Sequence, residues 1–392
     1  MSARTHHPTA MAKRRLLVEG WRFLPHSYAM VNQWQLLALL RCNDVELRVR
    51  DLPLYRPGWR TGRGSMPEAD ERALEMLAAP EPGFAPDAVL RIAFPFDLSP
   101  SEAPRLAVFC TSEFGNVGAG DWRPPLDQMA LQQRSDLRIV TPSAWSAAGL
   151  RRAGIPEALV TVVPHGVDAR IFAPQPMSRA SMRQRLGLPA SALTFLNVGA
   201  MTDNKGIDVL LRAFARLCRA RTDVYLLLKG ADSLYRSQHR LGAVLGALGE
   251  AERQAIAPRI VYGGSTLSAS DMAALYGAAD VYVTPYRAEG FNLPALEAMA
   301  CGLPVICTAG GPTDDFVADD CALRLPSRQV PVALGDGRPG VQFDIAVDVL
   351  ERAMSRAAAD GQWRQQAGSA ARRRAAAWSW DAAVERLLGV LF

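Results

Sequence analysis

The second half of the chain alternates short apolar runs with longer segments in which apolar residues recur every three or four positions. The apolar runs lie at 194–199, 223–230, 259–264, 280–286 and 304–311, and the helical patterns lie at 207–220, 237–255, 268–279 and 294–302. Strands without polar alternation, each followed by an amphipathic helix, are typical of a parallel sheet that is covered on both faces. This half is therefore predicted to be a doubly wound α/β domain.

The first half repeats this order less regularly. Its apolar runs lie at 14–20, 44–51, 88–94, 105–114, 136–143 and 159–168, with a helical pattern at 29–41. A Pro- and Gly-rich segment with little periodicity, 51–87, lies between two of these runs, and loops of this length are commonly functional. The first half is thus predicted to be a second α/β domain that carries a long insert.

The length of the chain also favours two domains. A chain of 392 residues exceeds what one hydrophobic core usually supports. Proline breaks and the absence of a strand pattern in 171–189 place the boundary near residue 174. The predicted domains are residues 1–174 and 175–377, and they are followed by an apolar helix in 378–392.

Composition narrows the class of protein without indicating a reaction. Hydrophobic residues make up 49% of the chain and charged residues 21%. Since no apolar run approaches the roughly 20 residues that a membrane span needs, a soluble, cytoplasmic protein is expected. The N-terminal stretch 1–15 is basic but lacks an apolar core, so it is predicted to be a disordered leader and not a signal peptide.

Cysteine and arginine set two further limits. The six cysteines lack metal-ligand spacing, which predicts reduced thiols and no bound metal. The net charge is only +5, but five arginines crowd one region, at positions 48, 50, 56, 60 and 63. They could meet an acidic or phosphorylated partner or a membrane surface, or they could form a solvated loop. Nucleic acid is not expected, because no binding motif accompanies them.

The stretch NVGAMTDNKG, 197–206, has the outline of a phosphate site. A strand pattern runs into a loop that contains Gly199, and Lys205 and Gly206 come just before a helical pattern. Small residues let the backbone approach an anion, while the helix N-terminus and the lysine add positive charge. A solvated lysine at a helix start is the alternative.

The stretch PYRAEGFNLPALEAMACG, 285–302, places two carboxylates eight residues apart around a predicted helix start. Pro294 suits the first helical turn, so the amides of residues 291–293 are expected to be unpaired and to attract an anion. Glu297 would then reach hydroxyls of a ligand, and Glu289 would face the same ligand from the other side. A nucleotide-sugar offers a diol, a diphosphate and a second polyol in this order. A dipole-stabilising Glu297 with a surface Glu289 stays open as the alternative.

Four stretches, taken in this order, resemble the family 4 retaining glycosyltransferases. That family has the GT-B fold, an α/β architecture of two Rossmann-like doubly wound domains facing each other across a cleft. The stretches are VTPSAWSAAGLRRAGIP with VTVVPHGVD, NVGAMTDNKGIDVLLRAFARL, LYGAADVYVTPYRAEGFNLPALEAMACGLPVICTAGGP and WSWDAAVERLL. The resemblance covers most of residues 136–316, whereas the first 130 residues match only in outline.

The resemblance implies a nucleotide-diphosphate-sugar as donor substrate, held mainly by the second domain, and an acceptor held by the first. It also implies transfer with retained configuration and without a metal or another cofactor. Lys205 would hold the diphosphate and Glu297 the ribose hydroxyls. Glu289 would hold the transferred sugar together with the backbone amides of the adjoining loop, which are those of Gly290, Phe291, Asn292 and Leu293. The helix at 378–392 would cross back onto the first domain.

Two departures weaken the implied diphosphate site. Members of the family commonly have an arginine where this chain has Ala200, and a basic residue where it has Asn204. Each missing cationic contact is worth about 1.5–3 kcal/mol as a charge-assisted hydrogen bond. Lys229 or an arginine of the first domain is expected to replace them.

The first domain departs further from the family. The usual Gly-rich loop is replaced by residues 19–33, which are predicted to offer six acceptor-binding side chains: Trp21, Arg22, His26, Ser27, Tyr28 and Asn32. The familiar His after a strand is replaced by Ser112 and Glu113. Glu113 is a candidate catalytic group beside Lys205 and Glu289, with a purely structural carboxylate as the alternative. His165 is expected to serve a turn.

These residues predict a glycosyltransferase that moves a sugar to a hydroxyl of a glycan or lipid-linked acceptor. The expected setting is cell-envelope polysaccharide or glycolipid biosynthesis, in the cytoplasm, with peripheral contact at the inner face of the membrane. Two alternatives remain. One is a nucleotide-sugar epimerase of GT-B fold, and the other is a non-catalytic relative that only binds the nucleotide-sugar.

Overall fold

The computed structural model of the protein describes residues 13–392, so the predicted leader lies almost entirely outside the described residues. Two α/β domains are present, each built on a six-stranded sheet in which all neighbouring strands are parallel. Leu16, Leu17 and Val18 of the first strand are fully buried, as expected where helices cover both faces of a sheet. The prediction of two doubly wound domains is therefore confirmed.

The first domain contains most of the elements predicted for it. In chain order its elements are β1 (Arg14–Gly20), α1 (Ser27–Leu39), β2 (Val45–Asp51), α2 (Glu68–Glu75), β3 (Ala88–Ile92), β4 (Phe96–Asp97), β5 (Leu106–Phe109), β6 (Trp122–Arg123), α3 (Gln128–Gln132), β7 (Leu137–Thr141), α4 (Ala144–Arg152) and β8 (Val160–Val162). The main sheet has the order β2-β1-β3-β5-β7-β8, and β4 pairs with β6 apart from it.

The second domain has the strand order β11-β10-β9-β12-β13-β14. In chain order the remaining elements are α5 (Pro176–Arg185), β9 (Leu193–Val198), α6 (Ile207–Ala220), β10 (Val224–Lys229), α7 (Asp232–Tyr235), α8 (Ser237–Gly246), α9 (Glu250–Ile256), β11 (Ile260–Gly263), α10 (Ala269–Ala278), β12 (Val281–Thr284), α11 (Leu293–Ala300), β13 (Val305–Thr308), β14 (Ala322–Leu325), β15 (Arg328–Ala333), β16 (Pro339–Asp344), α12 (Val347–Ala359), α13 (Gly361–Ala375) and α14 (Trp380–Leu391). The order of strands reverses between β9 and β12, and such a reversal is where open α/β sheets bind ligands.

Several local predictions differ from the structure. The single helix predicted at 237–255 is two helices, α8 and α9, because Gly246 and Gly249 interrupt it. The strand predicted at 159–168 is limited to Val160–Val162. The insert at 51–87 contains α2 and packs Trp59 and Met66 into the interior, so it is more ordered than its composition suggests.

The C-terminal helix α14 packs against α1 of the first domain. Arg41 at the end of α1 donates to Asp381 at 3.0 Å, and the amide of Val167 donates to the carbonyl of Trp378 at 2.8 Å. Leu387 is fully buried at this contact. Residues of the last segment thus bridge the two domains, while the domain limits near 174 and 377 stay predictions.

The strands β15 and β16 form an antiparallel hairpin, which we call the interdomain hairpin, residues 328–344. The sequence pattern did not predict it. The amide of Val341 donates to the carbonyl of Phe114 at 2.7 Å, and Asn116 donates to the carbonyl of Pro339 at 2.8 Å. On its other side, the amide of Phe343 donates to the carbonyl of Arg287 at 2.7 Å. The hairpin therefore connects the loop after β5 with the loop after β12.

Three of the five arginines that crowd the first domain, Arg48, Arg50 and Arg63, form ion pairs with acids. Their partners are Glu46 and Glu81 for Arg48, Glu19 and Glu102 for Arg50, and Glu75 for Arg63. Arg60 donates to backbone carbonyls. Less free positive charge is left for an acidic partner or a membrane surface than the sequence suggests. Among the described residues, no helix combines the length and the apolar character that crossing a bilayer would require.

Candidate functional site

A cavity of about 530 Å³ lies between the two domains, at the carboxyl ends of the strands of both sheets. The predicted donor-binding and catalytic residues all line it, namely Gly199, Lys205, Lys229, Gly290, Phe291, Asn292, Leu293 and Glu297 for the donor, with Glu113 and Glu289 as further catalytic candidates. The structure thus brings these residues together, whereas their roles stay predictions.

The loop after β9 positions Lys205. Gly206 has a φ of 66°, in the left-handed region, and a Cβ at this position would lie 2.0 Å from the carbonyl oxygen of Pro285. Only glycine fits there, because a side chain would meet both strain and backbone. The tight turn at Gly206 places Lys205 just before α6, where its side chain lines the cavity.

Lys205 is held between two carboxylates. Its Nζ lies 2.8 Å from Oε2 of Glu289, and the side chains are only 18% and 14% exposed. Burial alone would lower the pKa of Lys205, but the attraction of Glu289, and then of Glu113, raises it above its ordinary value. The lysine therefore stays charged at any physiological pH, and in the absence of a ligand Glu289 neutralises it.

Glu113 approaches this pair from the first domain. Its Oε2 accepts a hydrogen bond from the side-chain amide of Asn204 at 2.9 Å. Burial raises the pKa of Glu113, the charge of Lys205 opposes this, and the charge of Glu289 adds to it. In the sequence, Asn204 stood out only because it replaces a basic residue of the family. In the structure it joins Glu113 of the first domain to the loop that contains Lys205 in the second.

The loop between β12 and α11 presents backbone donors to the cavity. Asn292 has a φ of 77°, and its side chain accepts from the amide of Ala295 at 3.2 Å and donates to Thr284 at 3.0 Å. Within residues 13–392, the amides of Phe291, Asn292 and Leu293 have no hydrogen-bond acceptor. Unpaired amides before a helix favour an anion or an electronegative oxygen.

Glu297 lies one turn inside α11 and accepts from the hydroxyl of Tyr276 at 2.7 Å. Burial raises the pKa of Glu297 to about 7, although the hydrogen bond from Tyr276 lowers it. The sequence did not identify Tyr276, since this contact joins α10 and α11 and leaves no local pattern. Glu297 can therefore offer a carboxylate or a protonated acid to a ligand near neutral pH.

Lys229 ends β10 and lines the second-domain wall of the cavity. Burial lowers its pKa and Asp232 opposes this, while its Nζ donates to the carbonyl of Gly230 at 2.5 Å. The position after Gly199 is filled by Ala200, whose carbonyl accepts from Ser237 at 2.9 Å. Lys229 is the second lysine that lines the cavity, and its role as the replacement cation stays a prediction.

The loop 19–33 contributes fewer side chains to the cavity than predicted. For three of the predicted side chains the structure differs from the prediction, because their contacts lie inside the first domain and not in the cavity. Trp21 is 1% exposed and donates to the carbonyl of Pro53, Arg22 pairs with Asp51, and Asn32 is fully buried with its amide on the carbonyl of Trp21. A further residue, His26, is outside the lining set and caps α1 by accepting from the amide of Tyr28. Ser27 and Tyr28 line the cavity.

His165 does more than make a turn, because it also lines the cavity. It lies in an aromatic cluster with Phe109, Phe291 and Trp380, at ring distances of 5.5, 4.9 and 5.8 Å. Burial lowers its pKa to about 3, so the ring is neutral at physiological pH. Among the described residues its Nδ1 has no hydrogen-bond partner.

Comparison with solved structures identifies the architecture. A glycosyltransferase from Rickettsia africae ESF-5 superposes with a TM-score of 0.70 at 15% identity, over 96% of this chain and 97% of that one. HepE from Anabaena, solved in complex with UDP-glucose, gives 0.64 at 16% identity over 96% and 100%. The fold is GT-B, as the sequence predicts.

The sequence comparisons identify the class of protein more narrowly. Residues 192–336 match the family described as Glycosyl transferases group 1. A D-inositol 3-phosphate glycosyltransferase from Kineococcus radiotolerans is 33% identical over 241 residues, which cover 60% of this chain and 52% of the relative. The chain spans about half the length of the curated relatives it matches. These findings support a glycosyltransferase of GT-B fold.

Proposed function

We propose that this protein is a retaining glycosyltransferase that moves a sugar from a nucleotide-diphosphate-sugar to a hydroxyl of a glycan or lipid-linked acceptor. The observation that carries the proposal is the placement of Lys205, Glu289 and the loop 290–293 around one interdomain cavity. A lysine and unpaired amides suit a diphosphate, and carboxylates suit the hydroxyls of a sugar. A cytoplasmic role in envelope polysaccharide or glycolipid synthesis, with peripheral membrane contact, belongs to the same proposal.

The arrangement suits a reaction in which negative charge moves onto the leaving group. The bond between the anomeric carbon and the diphosphate oxygen breaks, and the acceptor oxygen forms the new bond on the same face of the sugar. The acceptor's proton passes to the leaving phosphate. Lys205 and the amides of 291–293 would stabilise the charge that develops there, which is where preorganised donors contribute most.

Glu113 is the first-domain group placed to influence this step. It lies near the Lys205–Glu289 pair, and its side chain accepts a hydrogen bond from Asn204. Its raised pKa makes it a better proton acceptor than an exposed carboxylate. We propose that it orients the acceptor hydroxyl or the transferred sugar. Within residues 13–392 no group of three His, Cys, Asp or Glu side chains could hold a metal ion, and metal independence is part of this proposal.

A donor screen tests the proposal. Thermal unfolding would be followed with a panel of nucleoside diphosphates and nucleotide-sugars, because a ligand that binds only the native state raises its stability by about 2.7 kcal/mol at 100 times its dissociation constant. At least one diphosphate is expected to raise the Tm, and its sugar conjugate is expected to be turned over. Proton NMR of the product would then show retained anomeric configuration.

Other results of the screen would favour the alternatives. Conversion of the donor into its epimer without transfer would indicate an epimerase. Binding without turnover towards any acceptor or water would indicate a non-catalytic relative. A flat response to the whole panel would contradict the donor site itself.

Nucleotide affinity is expected to rise with pH through about 7. The pKa of Glu297 is raised to about 7 by burial, and the ionised carboxylate accepts hydrogen bonds from both ribose hydroxyls, whereas the protonated acid does not. If only the ionised form binds, the affinity gains up to about tenfold between pH 6 and pH 8. Calorimetric titration with the diphosphate from the screen measures this change.

Two variants isolate the contribution of Glu297 from the titration of the phosphate. Glu297→Gln should retain only the pH dependence that comes from titration of the phosphate. Tyr276→Phe deletes the hydrogen bond that lowers the pKa of Glu297, so it should move the midpoint to higher pH. An unchanged midpoint in Tyr276→Phe, or a full pH dependence in Glu297→Gln, would refute the ribose assignment.

The same group predicts an opposite trend for the unliganded protein. Its pKa in the folded state is raised from 4.5 to about 7, so the folded protein binds more protons than the unfolded chain between these values. The contribution of Glu297 to stability is therefore present below pH 4.5 and is lost as the pH rises through 7. Glu297→Gln should flatten this part of the profile in denaturant titrations.

A further inference from the structure

The first-domain wall of the cavity is largely apolar, and none of its lining side chains among the described residues is cationic. Its apolar side chains come from α1 and the end of β5, joined by two residues near the hinge: Met30, Val31, Trp34, Phe109, Phe172 and Trp380. Its hydrogen-bonding groups include the hydroxyls of Tyr28 and Thr111 and the ring of His165. Burial raises the pKa of Tyr28 and lowers that of His165 to about 3, so both stay neutral at physiological pH.

Positive charge is confined to the opposite wall. Of the residues that line the cavity, Lys205 and Lys229 are the cationic ones, and both belong to the second domain. Lys205 is engaged by Glu289. The acids on the first-domain side are Glu113 and Asp168, and Asp168 pairs with Arg170. Within residues 13–392, the acceptor wall therefore offers an anion no counter-ion of its own.

In the part of the chain that the structure describes, arginines of the first domain do not line this wall. Arg22 is bonded to Asp51 and to the carbonyl of Leu74. Arg56 is exposed and lies over the ring of Tyr55, close enough for its charge to lower the pKa of His26, but it is outside the cavity. His26 could carry a charge only when protonated, and burial lowers its pKa to about 4. A phosphate held against the first-domain wall would be desolvated beside neutral and acidic groups, and no cation among the described residues that line this wall would offset the cost.

We infer that the acceptor is an uncharged alcohol with an apolar ring or chain beside its reacting hydroxyl, and not a phosphate-bearing polyol. This inference rests on the proposed function and narrows its acceptor class. It separates this chain from the relatives named D-inositol 3-phosphate glycosyltransferase. The aromatic and aliphatic side chains would cover the apolar part, as in most small-molecule pockets, and neutral groups such as Tyr28 and His165 would bond its hydroxyls.

Three probes with the same sugar test the inference. They are glucose, 4-nitrophenyl β-glucoside and glucose 6-phosphate. The second adds an uncharged aryl group to glucose, and the third adds a phosphate. Calorimetry with the full chain at pH 7.5 would measure each affinity. The aryl glucoside is expected to bind about tenfold or more tightly than glucose, whereas glucose 6-phosphate is expected to bind no better than glucose. A preference for the phosphate, or no preference among the three, would overturn the inference.

A variant that adds a charge to this wall, with a matched control outside the cavity, tests the inference further. Met30 is only partly buried on α1, so Met30→Lys should fold and add a cation to the acceptor wall. It is expected to weaken the aryl glucoside and strengthen glucose 6-phosphate, each severalfold. Met76→Lys makes the same change at a side chain that is 83% exposed and outside the cavity, and it should change neither affinity.

The experiments distinguish a failure of the proposed donor site from a failure of the inferred acceptor class. The response of the Tm to nucleoside diphosphates depends on the second-domain wall and tests the proposed function. The ranking of the three glucose probes depends on the first-domain wall alone. If Met30→Lys leaves the ranking unchanged while the diphosphate still binds, the assignment of this wall to the acceptor is refuted and the donor site stands.

Discussion

Lys205→Ala is expected to lower kcat by about 10²–10³-fold, the usual effect of removing one preorganised donor that acts on charge in the transition state. In the structure this lysine lines the interdomain cavity, and its position is held by the turn at Gly206 and the ion pair with Glu289. Without it, Glu289 and Glu113 would face each other without the charge that separates them. The variant should therefore also lose stability at high pH more than at low pH.

Steady-state kinetics with the donor from the screen would measure the loss, and circular dichroism would show that the fold is kept. Lys13→Ala, at an exposed position before β1, is the matched control and should behave as wild type. Loss of a donor that stabilises the transition state should cost far more than about threefold in activity. If Lys205→Ala retained activity within about threefold of wild type, the role assigned to Lys205 would be wrong.

Gly206→Ala is expected to destabilise the protein by about 2–5 kcal/mol. Part of this cost, about 1–2 kcal/mol, is the left-handed conformation itself. The rest, about 1–3 kcal/mol, comes from forcing Cβ against the carbonyl oxygen of Pro285, which lies 2.0 Å from its ideal position. Because the same turn directs Lys205, activity should fall together with stability.

Gly187 allows the two costs to be separated. It has the same φ of 66°, but nothing lies within 4 Å of its ideal Cβ. Gly187→Ala should therefore lose only the conformational part, about 1–2 kcal/mol. Denaturant unfolding of both variants gives the difference. Equal losses would show that the backbone near Pro285 yields, and that the turn is not held as tightly as its contacts indicate.

The sequence specified the second domain well because its strands are uniformly apolar and each is followed by a helix of clear periodicity. It specified Lys205, Glu289 and Glu297 for a related reason. All three are tied to a strand end or a helix start, and parallel strands bring such positions to one edge of the sheet. The structure places them around one cavity without any further assumption.

What the sequence missed depends on contacts between distant segments. Tyr276 meets Glu297 across two helices, and Asn204 meets Glu113 across the two domains. In the loop 19–33, polar residue types suggested ligand contacts, but the side chains of Trp21 and Asn32 donate to backbone carbonyls inside the fold. The sequence alone does not show whether a polar side chain in a loop faces the cavity or the interior of its domain.

The interdomain hairpin has a consequence for engineering. It belongs to the second domain, yet its backbone holds the segment that directly follows Glu113 in the first. A chimera that exchanges residues 1–174 to change the acceptor would separate this segment from the strand that supports it. Such a chimera should work only when residues 328–344 come from the same parent as the new first domain.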